Sequence, residues 1–248
     1  MLGLALDGVG LGTDGQAWGG ELLRVEGGEF KRLGHLRTLA MPGGDRAAGE
    51  PWRMAAAALH ALGRADEVRR RFVRRAAQPI VRMLASGLRC PPTSSAGRWF
   101  DAAAALLGTC EVNAREGEAP MRLEALAARH GDVAPVEGGW RIHGDGTLDL
   151  LPLLDWIADC IDPAQGAAVF HATLAAALAD WALRAASASD TGCIALGGGC
   201  FANRVLSRYV RRQLERAGLR VLEARRVSPG DAGLALGQAA VALARLQG

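Results

Sequence analysis

No two cysteines in this sequence are spaced C-x-x-C, and no two histidines fall at H-x-x-x-H or H-E-x-x-H spacing. The five cysteines, Cys90, Cys110, Cys160, Cys193 and Cys200, are odd in number. A zinc cage and a disulfide framework are therefore not expected, which fits a reducing cytoplasm. There is no G-x-S-x-G, no Walker loop and no G-x-G-x-x-G set between a strand and a helix. The apolar start, Met-Leu-Gly-Leu-Ala-Leu, ends at once in Asp7, and the later Ala/Leu-rich stretches are broken by Asp, Arg and His. These patterns give no signal peptide and no membrane span, only packed helices. Lysine is nearly missing too: Lys31 is the only one, arginine supplies the remaining positive charge, and the net formal charge is +3. That balance does not call for a nucleic-acid partner. The densest run, Arg69-Arg70-Arg71-Phe72-Val73-Arg74-Arg75, reads as a solvated helix face, with a basic patch as the alternative.

What is present is apolar bulk, 50% of 248 residues, enough to bury a substantial core. Leu2 to Leu6, Leu22 to Val25 and Phe30 to Leu36 read as three strands of an antiparallel meander separated by glycine turns. Glu50-Pro51-Trp52-Arg53 opens a helix, with Pro51 suited to its first turn. Helical periodicity then dominates, with a second helix over about 65–85, a third after Ser94-Ser95 and a fourth through Leu123 to Ala128. Residues 136–150 read as a strand or loop excursion before two more helices, 151–160 and 163–186. The end alternates strand (Cys193 to Leu196), helix (Asn203 to Ala217), strand (Leu219 to Leu222) and helix (Gly230 to Leu246). The chain thus divides into a β-meander over 1–45, a mainly helical insertion over 50–190 and a βαβα tail over 191–248.

Three groups carry possible chemistry. Gly197-Gly198-Gly199 lies between a strand and the helix at Asn203, where exposed backbone N–H groups suit a phosphate or a nucleotide edge; a tight turn is the plainer alternative. Asp7, at a strand tip before Gly8, could hold a metal or a catalytic water, and Asp231, at the start of the last helix, reads first as an N-cap. In Ser94-Ser95-Ala96-Gly97-Arg98-Trp99-Phe100-Asp101, Gly97 leaves room for a ligand at the helix start and Asp101 could accept hydrogen bonds from a ribose. Arg98 could meet a phosphate or pair with a neighbouring acid. His171, inside an Ala-rich helix, reads as a core or interface histidine.

Taken in order, these groups resemble one family. Asp7-Gly8-Val9-Gly10-Leu11-Gly12 with Asp14-Gly15 and Trp18-Gly19-Gly20-Glu21, then Pro42-Gly43-Gly44-Asp45 and Glu50-Pro51-Trp52-Arg53, are similar to successive blocks of the HypF carbamoyltransferases. So are Thr93-Ser94-Ser95-Ala96-Gly97-Arg98-Trp99-Phe100-Asp101-Ala102, Gly197-Gly198-Gly199-Cys200-Phe201-Ala202-Asn203 and Pro229-Gly230-Asp231-Ala232-Gly233-Leu234. The resemblance implies an α/β fold, one lobe of an actin-like (ribonuclease H-like) nucleotide-binding fold with a large helical insertion. It implies transfer of a carbamoyl group from carbamoyl-adenylate, made with ATP, to the C-terminal cysteine of HypE, a step in cyanide-ligand synthesis for [NiFe]-hydrogenase. By matching position, Gly97, Asp101, Gly198, Gly199 and Asn203 are expected to contact the nucleotide, and Asp7 and Asp231 to hold a divalent metal, iron or zinc.

The family's H-H-x-A-H block, source of two further metal ligands, does not occur in the sequence. Its first lobe and adenylate-forming domain are not matched either. They are expected from a missing N-terminal half or a partner chain. The alternative expectation is a non-catalytic nucleotide-binding or assembly module that keeps the fold, with a homodimer covering the apolar surface of the half-cleft.

Overall fold

The computed structural model describes residues 1–247. Leu2, Leu4 and Leu6 alternate along strand β1 (Leu2–Leu11), and all three are buried on one face of a sheet. β1 runs on through Gly8-Val9-Gly10, past its expected end at Asp7, because it forms a long hairpin with β2 (Ala17–Glu26). The pairing is interrupted between Leu6 and Gly10 and resumes at Gly10 opposite Trp18. β3 (Glu29–His35) completes the meander.

After β4 (Leu39–Ala40) and the short α1 (Arg46–Gly49), α2 (Pro51–Ala61) starts with Pro51 in its first turn, as the sequence implies. The helix expected over about 65–85 is two helices, α3 (Asp66–Arg71) and α4 (Ala77–Ser86). Phe72 ends the first: its ring packs 5.8 Å from that of Trp52, and its backbone leaves the helical region at φ −112, ψ 50. The basic run is therefore not one solvated helix face. Next come β5 (Pro92–Thr93), α5 (Ala96–Leu106), α6 (Glu118–His130) and a small hairpin of β6 (Arg141–Ile142) and β7 (Leu148–Asp149). The remaining elements are α7 (Leu151–Asp159), α8 (Pro163–Ala188), β8 (Cys193–Gly197), α9 (Arg204–Arg216), β9 (Arg220–Glu223) and α10 (Leu234–Gln247).

One seven-stranded sheet gathers strands from all three expected segments, in the order β4-β5-β2-β1-β8-β9, with β3 also on β2. β1 is antiparallel to β2 and parallel to β8, which is parallel to β9. β5 joins the sheet beside β2 and β4, and α5 and α8 pack directly on β1. The mainly helical stretch over 50–190 is packed onto the sheet through these elements. α8 is long and apolar enough to cross a membrane, but 83% of its apolar window is buried inside the protein, where it packs on α6 and α9. All residues of α5 are buried, Arg98 and Asp101 included, and Ser95 caps it by accepting from the Arg98 backbone N–H.

Candidate functional site

The segments around Gly19, Ser95-Gly97 and Gly198-Gly199 converge on Asp7-Gly8 of β1. Gly19, at φ +151, sits where a Cβ would lie 2.9 Å from the Asp7 carbonyl oxygen and 3.1 Å from Ser95 Cα. Ser95 Oγ donates to that same Asp7 carbonyl at 3.0 Å. Gly198, at φ +99, crosses β1 so closely that a Cβ would overlap the Leu6 carbonyl. A Cβ on Gly199 would come 3.0 Å from Asp7 Oδ1. Three segments from distant parts of the chain thus meet the middle of β1, and they meet there because glycine lets backbone touch backbone. Gly97 belongs to this node for a different reason than its sequence context suggests. A Cβ there would stand 3.2 Å from Gly8 Cα, so the glycine lets α5 close on β1 instead of leaving space for a ligand.

Asp101 lies one turn into α5 and is 1% exposed. A surface aspartate on a capped helix is therefore excluded. Its Oδ2 is 2.7 Å from Arg98 Nε, an ion pair off the line of a hydrogen bond, so neither atom has a hydrogen-bond partner among the described residues. Burial pushes the Asp101 carboxyl up to about 6, against the lowering influence of Arg98. Beside them, burial, with the Asp7 charge adding, pushes the Cys200 thiol up to about 12. A thiol held protonated at neutral pH is a poor nucleophile.

Asn203 is buried and internally engaged. Its Oδ1 accepts from Leu206 N at 3.0 Å, capping α9, and its Nδ2 donates to His171 Nε2 at 2.9 Å. One N–H of its amide is left for a ligand. His171 is the core histidine the sequence suggests, but it is wired to a candidate site residue.

Gly198 N donates to the Pro229 carbonyl at 2.8 Å, and a Cβ on Gly230 would lie 3.2 Å from Gly199 Cα. The segment leading into Asp231 is thereby held against the glycine turn that touches Asp7. Asp231 is exposed and is the first residue of a 3-10 turn, Asp231–Gly233, whose N-cap position is Gly230, so the N-cap reading is corrected. Asp7 Oδ1 already accepts from Gly8 N at 2.8 Å. Two carboxylates offer hard oxygen donors, yet among the described residues no group of three His, Cys, Asp or Glu side chains is placed to hold a metal. The donor set of this chain does not by itself fit an iron or zinc centre.

Sequence reasoning passed over Glu21. It is 2% exposed, and its Oε2 accepts from Gly19 N at 2.8 Å and Gly20 N at 2.7 Å. Its Oε1 accepts from Ser94 Oγ and, at 2.9 Å, from Arg32, whose guanidinium stacks 4.1 Å over Trp18. This carboxylate clamps the Gly19-Gly20 turn to the Ser94-Ser95 loop. Glu50 plays a similar part elsewhere, accepting from Trp52 Nε1 at 3.0 Å and Arg53 Nε at 2.7 Å, while Arg53 Nη1 reaches the Pro42 carbonyl at 3.1 Å. The P-G-G-D and E-P-W-R blocks are one structural knot.

The family described as carbamoyltransferase, Kae1-like domain, second subdomain, matches residues 3–238. Over 98% of its length the chain is similar to carbamoyltransferase HypF2 of Cupriavidus necator, at 53% identity and covering 34% of that protein. It is 52% identical to a carbamoyltransferase HypF homolog of the same organism, covering 65% of it, and 46% identical to carbamoyltransferase HypF of Rhizobium leguminosarum bv. viciae, covering 32%. The fold superposes on full-length HypF in its phosphate- and nucleotide-bound form with a TM-score of 0.89 at 28% identity, covering 100% of this chain and 33% of that one. The corresponding values for T. kodakarensis HypF are 0.87, 29%, 99% and 34%. The chain spans about a third of the length of HypF2 and just under two thirds of the shorter homolog.

Proposed function

The chain belongs to the HypF carbamoyltransferase family, as the second subdomain of its Kae1-like, actin-like domain, and we propose that it forms half of a cleft that transfers a carbamoyl group from carbamoyl-adenylate to the C-terminal cysteine of HypE. The observation that carries this reading is the meeting of the Ser94-Ser95 and Gly198-Gly199 segments at Asp7-Gly8, with Gly230 packed on Gly199. In the transfer, the partner's thiolate attacks the carbamoyl carbon, the bond from that carbon to the adenylate oxygen breaks, and AMP leaves. The backbone around Gly198-Gly199 and the free N–H of Asn203 are suited to the nucleotide. Asp101 is buried against Arg98 and would reach a ribose only if that ion pair opened. The acceptor thiol comes from the partner, so no cysteine of this chain takes part. All five cysteines are free, which suits a cytoplasmic enzyme.

Asp7 and Asp231 would supply the two carboxylates of a divalent-metal site, iron or zinc, whose other ligands come from outside this chain. No step above runs through that metal. The exposed apolar face of α10 is the surface on which the rest of the Kae1-like domain sits, and a second copy of the chain occupies it when the chain is alone.

Calorimetry with AMP or a non-hydrolysable ATP analogue tests the half-site, with Asp101→Ala and the shape-preserving Asp101→Asn alongside. Saturable binding lost in both variants is the expected result. The chain is then mixed with carbamoyl phosphate, ATP, HypE and a protein carrying the adenylate-forming part of a relative, and the HypE cysteine is followed by intact-mass spectrometry. Nucleotide binding without any thiocarboxamide would favour a non-catalytic module that keeps the fold.

A further inference from the structure

A cavity of about 900 Å³ lies apart from the glycine node and shares no lining residue with it. Ile80 and Met83 of α4, with Leu88, give it an apolar wall, and Arg46, Arg53 and Arg89 line it with positive charge. One carboxylate, Glu50, is shared between Arg46 and Arg53. Arg89 has no ion-pair partner among the described residues, so three guanidinium groups face one carboxylate. The wall is built firmly. Arg53 is buried and tied to the Pro42 carbonyl, and the Arg89 carbonyl accepts from Gly43 N at 2.8 Å. Arg89 also has a left-handed backbone, φ 51, a conformation that costs stability in any residue but glycine. A strained cation held at the rim of a cavity is the kind of outlier from which a binding role follows.

We propose that this groove docks an acidic peptide segment of a partner protein. An apolar side chain of that segment lies on Ile80, Met83 and Leu88, and its flanking carboxylates meet Arg46 and Arg89. Charge complementarity selects the sign of the partner. The chemistry of the floor selects its class: thioether and aliphatic groups accept a peptide side chain. No aromatic residue lines the groove, so nucleic-acid bases have nothing to stack on. The inference stands apart from the carbamoyl-transfer reading and does not depend on it.

Fluorescence anisotropy with a labelled acetyl-Glu-Glu-Leu-Leu-Glu-Glu-amide peptide tests it, with a Lys-for-Glu peptide and a labelled oligouridylate as controls. Arg89→Gly removes the cation and relieves the left-handed strain, so the fold is kept. It is expected to weaken the acidic peptide about tenfold, the worth of one charge-assisted hydrogen bond, with an unchanged or raised Tm. Met83→Glu is expected to abolish binding of the same peptide. The proposal is overturned if the acidic peptide does not saturate by millimolar concentration, if oligouridylate binds more tightly than the peptide, or if Arg89→Gly leaves the peptide affinity as it was.

Discussion

Asn203 Nδ2 donates to His171 Nε2 across 2.9 Å, while His171 Nδ1 faces the Ala167 carbonyl at 2.7 Å. Both contacts are satisfied only by the neutral ring with its proton on Nδ1, because a second proton on Nε2 would point at the Asn203 amide. Burial holds His171 down to about 4 from its ordinary 6.5. Below pH 6.5 the unfolded chain takes up this proton and the folded chain does not, so the contribution is whole above that pH and is lost as pH falls toward 4. Asp101 has the opposite sign. Its carboxyl is raised from 3.8 to about 6, so its contribution is whole below pH 3.8 and is lost as pH rises through 6. Each is on the order of 3 kcal/mol, so the two largely offset each other. Urea midpoints at pH 7 and pH 4.5 are therefore expected to fall more steeply with acid in Asp101→Asn than in the wild type, and less steeply in His171→Gln. The reverse ordering would sink this assignment.

Gly198 and Gly197 are neighbours with opposite tolerance. Gly198 has φ +99 and no room for a Cβ beneath the Leu6 carbonyl, whereas a Cβ on Gly197 meets nothing within 4 Å. Gly198→Ala is expected to cost about 3 kcal/mol or more, by backbone strain and loss of the β1–β8 crossing. Gly197→Ala is expected to stay within about 1 kcal/mol of the wild type. Equilibrium urea denaturation compares the two, and equal losses would mean that the close crossing does not exist.

The strands at both ends were legible because their apolar runs are short and bounded by glycine. The same rule misplaced the end of β1: Gly8 and Gly10 look like a turn, but pairing with β2 keeps the chain extended through them. Residues 65–85 carry a helical pattern throughout, and only the docking of Phe72 on Trp52 shows where it breaks. The site motifs were visible as motifs, yet their reasons were not. Gly97 is small for the sake of Gly8, and Asp101 sits in the core beside Arg98. Such facts depend on which segments become neighbours, and no local pattern encodes that. Glu21 left one faint signal, a carboxylate directly after two glycines whose amides it can cap.

Glu21 is the test of how much that clamp contributes. Glu21→Gln keeps the shape but removes the charge that Arg32 and Ser94 share. Breaking a buried charge pair costs about 3–5 kcal/mol when one partner is left without compensation. The Arg32 side chain is 22% exposed, so water softens the loss, and about 2 kcal/mol is the expected value. Ser94→Ala removes a single neutral donor and is expected to cost about 1 kcal/mol. Thermal melts of both variants at pH 7 check the order. A Glu21→Gln variant as stable as the wild type would show that the loop holds without its carboxylate.

Leu236 and Leu243 on α10 are 60% and 56% exposed, and they lie seven residues apart on one stripe with Ala240. An apolar helix open to this degree is a surface that expects a partner. These side chains add little to the fold of the isolated chain because they touch little of it. The chain alone is therefore expected to sediment as a concentration-dependent dimer, and the Leu236→Glu/Leu243→Glu double variant as a monomer with the same Tm. Sedimentation velocity across tens of micromolar separates these states. If the wild type is monomeric throughout, the α10 face does not drive association. If the double variant still dimerises, the contact lies elsewhere on the surface.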